Sequence, residues 1–317
     1  MYDIVSLGEL LVDFTESGLS PAGMRLFEQN AGGAVTNLVC AASRCGAKTA
    51  FIGKVGNDMH GHFLKQAMID AGVDMHALVE ADDVFTTLAF VALAKSGERE
   101  FSFARKPGAD TCLRSDELDM EMLKNTRIFH TGSLSLTAEP ARAATYEAID
   151  VAKAAGAIIS YDPNYRASLW QSREQALTYM RSLACSADII KISDEELPLI
   201  TCETDPDKAA DALIDIGVRV VAVTLGGEGA YVRVGSEGRA VPGFAAKAVD
   251  TTGAGDAFFG GFLYRFLSTG RTLKNVTADD AADCARFGNA TASLCVEHRG
   301  GIPAMPKLEA VLKRMNG

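Results

Sequence analysis

Val249-Asp250-Thr251-Thr252-Gly253-Ala254-Gly255-Asp256-Ala257-Phe258-Phe259-Gly260-Gly261-Phe262 sets two closely spaced glycines directly before an aspartate. A strand-like run and a loop rich in Gly and Ala precede it, and an apolar segment of helix length follows. Gly253 and Gly255 carry no Cβ, so the backbone there can turn tightly and approach a ligand. A helix beginning at Ala254 presents unpaired N–H groups from its first turn, an anion site suited to phosphate oxygens. Asp256 falls among those donors, where the helix dipole favours an ionised carboxylate. In that place it can accept a hydroxyl proton as the oxygen attacks phosphorus. A bare Gly-Ala-Gly-Asp reads equally well as a capped turn. The flanks tip the balance: Asp250, Thr251 and Thr252 add three oxygen-bearing side chains, and Gly260-Gly261 lets the helix pack closely on a neighbour.

Working outward, the chain alternates strand and helix, which predicts a mostly parallel sheet. Strands are expected at Asp3 to Leu7, Arg127 to Thr131, Ala157 to Tyr161, Ile189 to Ile192 and Val218 to Thr224. Helices are expected at Ala34 to Arg44, Ala138 to Ala154, Glu174 to Leu183, Asp207 to Ile216 and Ala278 to Cys295. Leu10 to Phe14 is extended and ends near Asp13, which either caps a turn or faces a cleft. Residues 15–30 are polar and irregular. Ala31-Gly32-Gly33 then opens a helix with Asn37 in its first turn, on the side facing the glycines. Val84 to Leu93 and Glu100 to Ala104 read as a hairpin turning at Gly97-Glu98, inserted into the βα pattern and able to form a small sheet with residues 11–30. Arg105 beyond it is either a surface residue or one that reaches a ligand. Asp162-Pro163-Asn164-Tyr165-Arg166, Lys191-Ile192-Ser193-Asp194-Glu195-Glu196 and Thr224-Leu225-Gly226-Gly227-Glu228-Gly229 each follow a predicted strand. Ligands in open α/β sheets bind beyond the carboxyl ends of strands, and nearly every motif falls at such an end.

On these residues the whole chain resembles the ribokinase-like (PfkB) sugar kinases, and within them the fructokinases. The resemblance implies a three-layer α/β/α fold with a mostly parallel central sheet and a small β-sheet lid. The large domain would comprise residues 1–10, 31–83 and 105–317, and the lid residues 11–30 and 84–104. It implies that Gly253, Ala254 and Gly255 form the anion hole and that Asp256 is the base. Asp13, Gly32, Gly33, Asn37, Arg105 and Arg166 would hold the sugar. Lys191, Glu196, Thr224, Gly226, Gly227, Gly229, Gly253, Gly255 and Asn289 would border ATP, with Glu196 meeting Mg2+ through water. Ser193 stands where the family usually has Asn. Asp250 and Thr252, near the Gly300-Gly301-Ile302-Pro303 loop, are candidates for a monovalent cation such as K+. Family members often dimerise through the lid, which makes a homodimer an expectation here too.

Composition narrows the alternatives. A formal charge of −10 over 317 residues argues against a nucleic-acid partner, and no apolar run is long enough to span a membrane. Seven cysteines, none spaced Cys-x-x-Cys, fit reduced thiols of a cytoplasmic protein. His60-x-His62 lacks a third ligand nearby for a metal. No Walker motif, Gly-x-Gly-x-x-Gly after a first strand or Gly-x-Ser-x-Gly elbow is present. The resemblance implies transfer of the ATP γ-phosphoryl to a primary hydroxyl of a ketose, fructose first. A 2-keto-3-deoxygluconate kinase is the nearest rival, because Asp-Pro-Asn-x-Arg-x-x-Leu-Trp looks similar in both groups. That rival usually places tyrosines with an Arg on the substrate carboxylate, where this chain has Phe101 and Phe103. A ribokinase or nucleoside kinase of the same fold, and a catalytically silent sugar sensor, complete the alternatives.

Overall fold

Short runs of Val and Ile bounded by Gly and polar residues become strands, and the longer Ala-rich segments between them become helices. The structure is a computed structural model that describes residues 1–93 and 99–317. The chain opens with β1 (Tyr2–Leu7), β2 (Leu11–Leu19), β3 (Arg25–Gly32), α1 (Ala34–Arg44), β4 (Thr49–Gly56), α2 (Met59–Asp70) and β5 (Leu78–Ala81). Next come β6 (Leu88–Leu93), β7 (Arg99–Ala104), α3 (Met120–Lys124), β8 (Thr126–Gly132), α4 (Ala141–Ala154) and β9 (Ile158–Asp162). The middle continues with α5 (Arg173–Ala184), β10 (Ile189–Ser193), α6 (Leu197–Ile200), α7 (Pro206–Asp215) and β11 (Val220–Thr224). It ends with β12 (Gly229–Val234), β13 (Glu237–Pro242), α8 (Ala254–Ser268), α9 (Ala278–Cys295) and α10 (Leu308–Asn316).

Nine strands form one sheet in the order β13-β12-β11-β10-β9-β8-β1-β4-β5. The run from β11 to β5 is parallel, and β12 and β13 add an antiparallel edge. Helices cover both faces, so a central strand such as β11 is apolar on both sides, with Val220, Val221, Ala222 and Val223 all fully buried. One face packs against α1, α2, α8 and α9, the other against α3, α4, α5, α6 and α7. The innermost helix is α8, which buries Phe258, Phe259, Phe262 and Phe266. Its two central glycines explain how it fits. A Cβ on Gly260 would run into the Leu38 carbonyl of α1, and one on Gly261 would lie 3.3 Å from the Phe287 ring of α9. The helix that carries Asp256 is thus wedged closely between two others.

A second sheet has the order β3-β2-β6-β7. Here the structure corrects the expectation for residues 15–30, which are not irregular: β2 and β3 form an antiparallel ribbon with a bulge between Glu16 and Gly18. Much of this ribbon is solvent-exposed, so it lacks the alternation of burial that sequence reading relies on. The turn at Gly97-Glu98 and the Phe101 side chain lie outside the described residues. Helix α4 begins at Ala141 rather than Ala138. Pro140 disfavours helical backbone at the residue before it.

Candidate active site

The loops at the carboxyl ends of the central strands, together with the second sheet, enclose a cleft of about 500 Å³. The first turn of α8 forms its floor. Gly253 precedes that helix with φ +75°, a left-handed conformation open to glycine. A Cβ on Gly255 would sit 2.9 Å from Lys191 Nζ, so the Cβ-free backbone lets the ammonium lie close beneath the helix start. Ala254 differs from its expected role as an anion-hole donor, because its N–H donates to the Thr251 carbonyl at 3.2 Å. The Gly255 and Asp256 N–H groups after it have no acceptor within the helix, and Ala257 N–H donates to the Gly253 carbonyl at 2.8 Å.

Asp256 is buried and held from two sides. Asn37 Nδ2 donates to Oδ2 at 2.8 Å, and Asn164 Nδ2 reaches Oδ1 at 3.4 Å. Burial pushes the carboxyl up to about 6, against the Asn37 hydrogen bond and the charges of Lys191 and Arg166. Lys191 lies 3.0 Å from Asp162, and both are buried. Burial opposes the lysine's charge, but Asp162, Glu196 and Asp256 more than offset it and raise its pKa.

On the side of the cleft toward the second sheet, Gly32 and Gly33 leave room that a Cβ would fill. The Asp13 carboxylate leans over Gly32 where a Cβ would sit. Gly33 has φ +124° as it enters α1, and a Cβ there would strike the Glu9 carbonyl. Burial raises Asp13 to about 7, with Arg166 opposing and Asp250 and Asp256 adding to the rise. Arg166 lines the cleft from an exposed loop, one Nη1 bond going to its neighbour's carbonyl. Glu196 lines it too, its carboxylate aimed by Tyr165 N–H at 2.7 Å and by the N–H and hydroxyl of Ser193, each at 3.0 Å. Ser193 therefore serves as the clamp that orients Glu196. Asp250 accepts from the N–H and hydroxyl of Thr252 and from Gly300 N–H, tying the Gly300-Gly301 loop to the start of the Gly-rich turn.

Arg105 is the expected residue that the structure moves out of the cleft. Its guanidinium is buried, with Nε and Nη2 both donating to Asp110 Oδ2 and further bonds to Thr137 Oγ1 and the Leu134 carbonyl. Asp110 also binds Thr87 Oγ1, so this cluster joins both ends of the β6–β7 hairpin to the large sheet. His60 and His62 bond Gln29 and Asn57 respectively.

Three residues of the cluster escaped the sequence reading. Glu9 is 2% exposed, its Oε1 accepts from Ala34 N–H at 2.7 Å, and its Oε2 has no partner among the described residues. The sequence signal was the break at Gly8-Glu9 inside an apolar run. Asp162 and Asn164 stood inside a noted motif. Asn164 adopts φ +43°, which Asn tolerates better than most residues and which turns its amide toward Asp256.

A second cavity of about 510 Å³ adjoins the first and shares Thr251, Ala254 and Gly255 with it. Thr224, Gly226, Gly227, Gly229 and Asn289 all line it. Asp256 and the turn before it thus stand at the junction of two compartments.

Residues 1–308 match the PfkB family of carbohydrate kinases. Fructokinase-1 of Zea mays is 41% identical over 313 residues, covering 98% of this chain and 96% of that protein. Probable fructokinase-5 of Arabidopsis thaliana is 42% identical over 307 residues, covering 96% and 94% respectively. Among solved structures, fructokinase with bound ATP from Xylella fastidiosa superposes with a TM-score of 0.91 at 33% identity, covering 100% of this chain and 99% of that one. Fructokinase from Vibrio cholerae in its fructose-, ADP- and calcium-bound form gives 0.89 at 32%, covering 99% of each chain.

Proposed function

The chain belongs to the PfkB family of carbohydrate kinases, and from that premise we propose that it is a fructokinase that moves the ATP γ-phosphoryl to a primary hydroxyl of fructose. The observation that carries this reading is Asp256, a buried carboxylate clamped by two amides where the sugar-facing cleft meets the second cavity. Raised toward neutrality by burial, it is matched to taking a proton from an alcohol as that oxygen attacks. The Gly253 and Gly255 backbone, with Lys191 beneath it, stabilises charge on the transferring group. Asp13, Asn37 and Arg166 hold sugar hydroxyls. The unpartnered Glu9 Oε2 and Asn37 Oδ1 are two further acceptors, and both are cleft-lining residues.

ATP fills the second cavity. The donor set fits magnesium arriving with ATP: Glu196, a carboxylate oriented in the cleft, would meet the ion through water. Bound there, the metal supplies charge neutralisation for the phosphates. A monovalent cation such as K+ would take backbone carbonyls around Asp250 and Thr252, with the Asp250 carboxylate holding the loop.

Fructose is favoured over 2-keto-3-deoxygluconate by Arg105. Its guanidinium is engaged by Asp110, Thr137 and Leu134, which leaves Arg166 as the arginine lining the cleft among the described residues. The 41–42% identity to plant fructokinases supports the same choice. The test is ADP release from MgATP with fructose, 2-keto-3-deoxygluconate, ribose and adenosine offered separately. Turnover on fructose alone is expected, and preference for the keto-acid would overturn the substrate assignment. The second sheet would act as a lid. Its exposed Leu26, Phe27 and Phe90 support a homodimer formed through it, checked by light scattering. None of the seven cysteines is in a disulfide, which supports a cytoplasmic setting.

A further inference from the structure

The wall of the second cavity carries more information than its shape. Asn289 and Ser293 stand one turn apart on α9, both lining that cavity and both buried. Each has its hydrogens engaged elsewhere. Asn289 Nδ2 has two hydrogens and donates to two carbonyls, Val241 and Pro242, each at 3.1 Å. The Ser293 hydroxyl donates to the Ala290 carbonyl at 2.8 Å and accepts from Arg314 Nη1 at 3.0 Å. A hydroxyl has one hydrogen and two lone pairs, and a side-chain amide has only its oxygen left once both N–H groups are engaged. What these two side chains have left to offer is lone pairs.

Arg314 on α10 lies outside the cavity yet holds its wall. Besides Ser293 it bonds the Ala245 carbonyl at 3.4 Å and Glu297 at 2.9 Å. Ala245 belongs to the exposed segment between Gly243 and Ala248 that forms the facing side of the cavity. That segment is pinned at its ends by Gly243 N–H to the Glu228 carbonyl and Val249 N–H to the Val296 carbonyl. Its middle is reached by Arg314 and by Phe244, which packs with Val311 and Met315 of α10.

We propose that Asn289 and Ser293 form an acceptor-only wall that selects a nucleotide base bearing an amino group over one bearing an oxo group, with Arg314 as the positioning residue that fixes it. An amino group donates to such a wall. An oxo group meets lone pair with lone pair, and the Ser293 hydrogen cannot turn toward it without leaving Ala290 and disturbing the Arg314 bond. This inference rests on the second cavity being the ATP site.

Inosine triphosphate is the probe, because it has an oxo group in place of the 6-amino group and carries its remaining hydrogen one atom away, on N1. The expected ratio of kcat/KM for ATP over inosine triphosphate is about 10-fold or more, the cost of one unmatched buried polar contact. Ser293→Ala should reduce it to roughly 2-fold to 3-fold and Ser293→Thr should keep it, since only threonine retains the hydroxyl. Arg314→Met should lower the ratio while the KM for fructose moves little, and Arg314→Lys should restore part of it. Equal use of both nucleotides by the parent protein, or an unchanged ratio in Ser293→Ala, would overturn the acceptor wall. A lower melting temperature in Arg314→Met with the ratio unmoved would reduce that residue to a purely structural part and overturn its positioning role. Equilibrium binding of the two nucleotides, measured by calorimetry, reads the same preference without turnover. Failure of ATP as phosphoryl donor therefore stays distinguishable from failure of base selection.

Discussion

Replacing Asp256 by Asn should slow the enzyme and stabilise the fold at once. Asn keeps the shape and removes the charge. Burial raises this carboxyl from 3.8 to about 6, and at 1.36 kcal/mol per pKa unit the ionised form is disfavoured in the fold by up to about 3 kcal/mol. The sign follows from linkage. A carboxyl raised in the folded state contributes stability below its unfolded pKa and loses it as pH climbs through its folded value. At pH 7 the parent therefore bears the whole cost and the variant bears none. Part of the gain is lost with the charge–dipole interaction at the start of α8, worth about 0.5–1 kcal/mol. The net expectation is up to about 2 kcal/mol of stabilisation, a rise of roughly 3 °C in melting temperature for a chain of this length. The introduced amide also has an acceptor within reach if the Asn37 side chain turns over, because Asn37 Oδ1 has no partner among the described residues.

Two assays check this. Calorimetry at pH 7 and pH 4.5 should show the variant's advantage at the higher pH and its shrinkage at the lower. Coupled ADP release should show kcat reduced by roughly 10²–10⁴-fold, the usual contribution of a general base, with the KM for sugar changing little. Turnover close to the parent's would remove Asp256 from proton transfer. A variant less stable than the parent at pH 7 would refute the claim that burial, rather than the amide clamp, dominates this carboxylate.

The pH dependence of the parent's kcat/KM should fall away below about 6, where Asp256 becomes protonated, and a flat profile down to pH 4.5 would contradict that. Gly255→Ala pushes a methyl to 2.9 Å from Lys191 Nζ. Turnover should drop by about 10²-fold, as expected when a transition-state donor is displaced, with the fold intact by circular dichroism. Lys191→Met leaves Asp162 buried without its ion-pair partner, so urea titration at pH 7 should show a loss of about 3–5 kcal/mol. Asn37→Leu removes the closest hydrogen bond to Asp256 and should raise the kinetic pKa seen in the kcat/KM profile. An unmoved pKa would show that Asn37 does not act on the base.

What could be read from sequence was whatever depends on a residue's own backbone. Gly33 announces itself because a Cβ there would strike the Glu9 carbonyl, Gly253 because its φ of +75° is a left-handed conformation, and Asp256 because its place in the first turn of α8 is fixed by adjacent residues. The alternation of strands and helices was legible for the same local reason. Arg105 was not, because its fate is decided by Asp110, Thr137 and Leu134, brought to it by the hairpin and by the loop after β8. A free arginine and one engaged by the protein have the same spelling. The same holds in the opposite direction for Ser193: it looked like a lost ligand, and folding made it the second hand that holds Glu196. Residues 15–30 hid as a strand pair because one ribbon face meets solvent, so pairing, not burial, makes them strands. Sequence motifs thus mark where chemistry is possible, while long-range partners decide which donors are still free to perform it. For a sugar kinase that distinction is the specificity itself, since a guanidinium engaged by the protein's own carboxylate has no fork left to offer a substrate's.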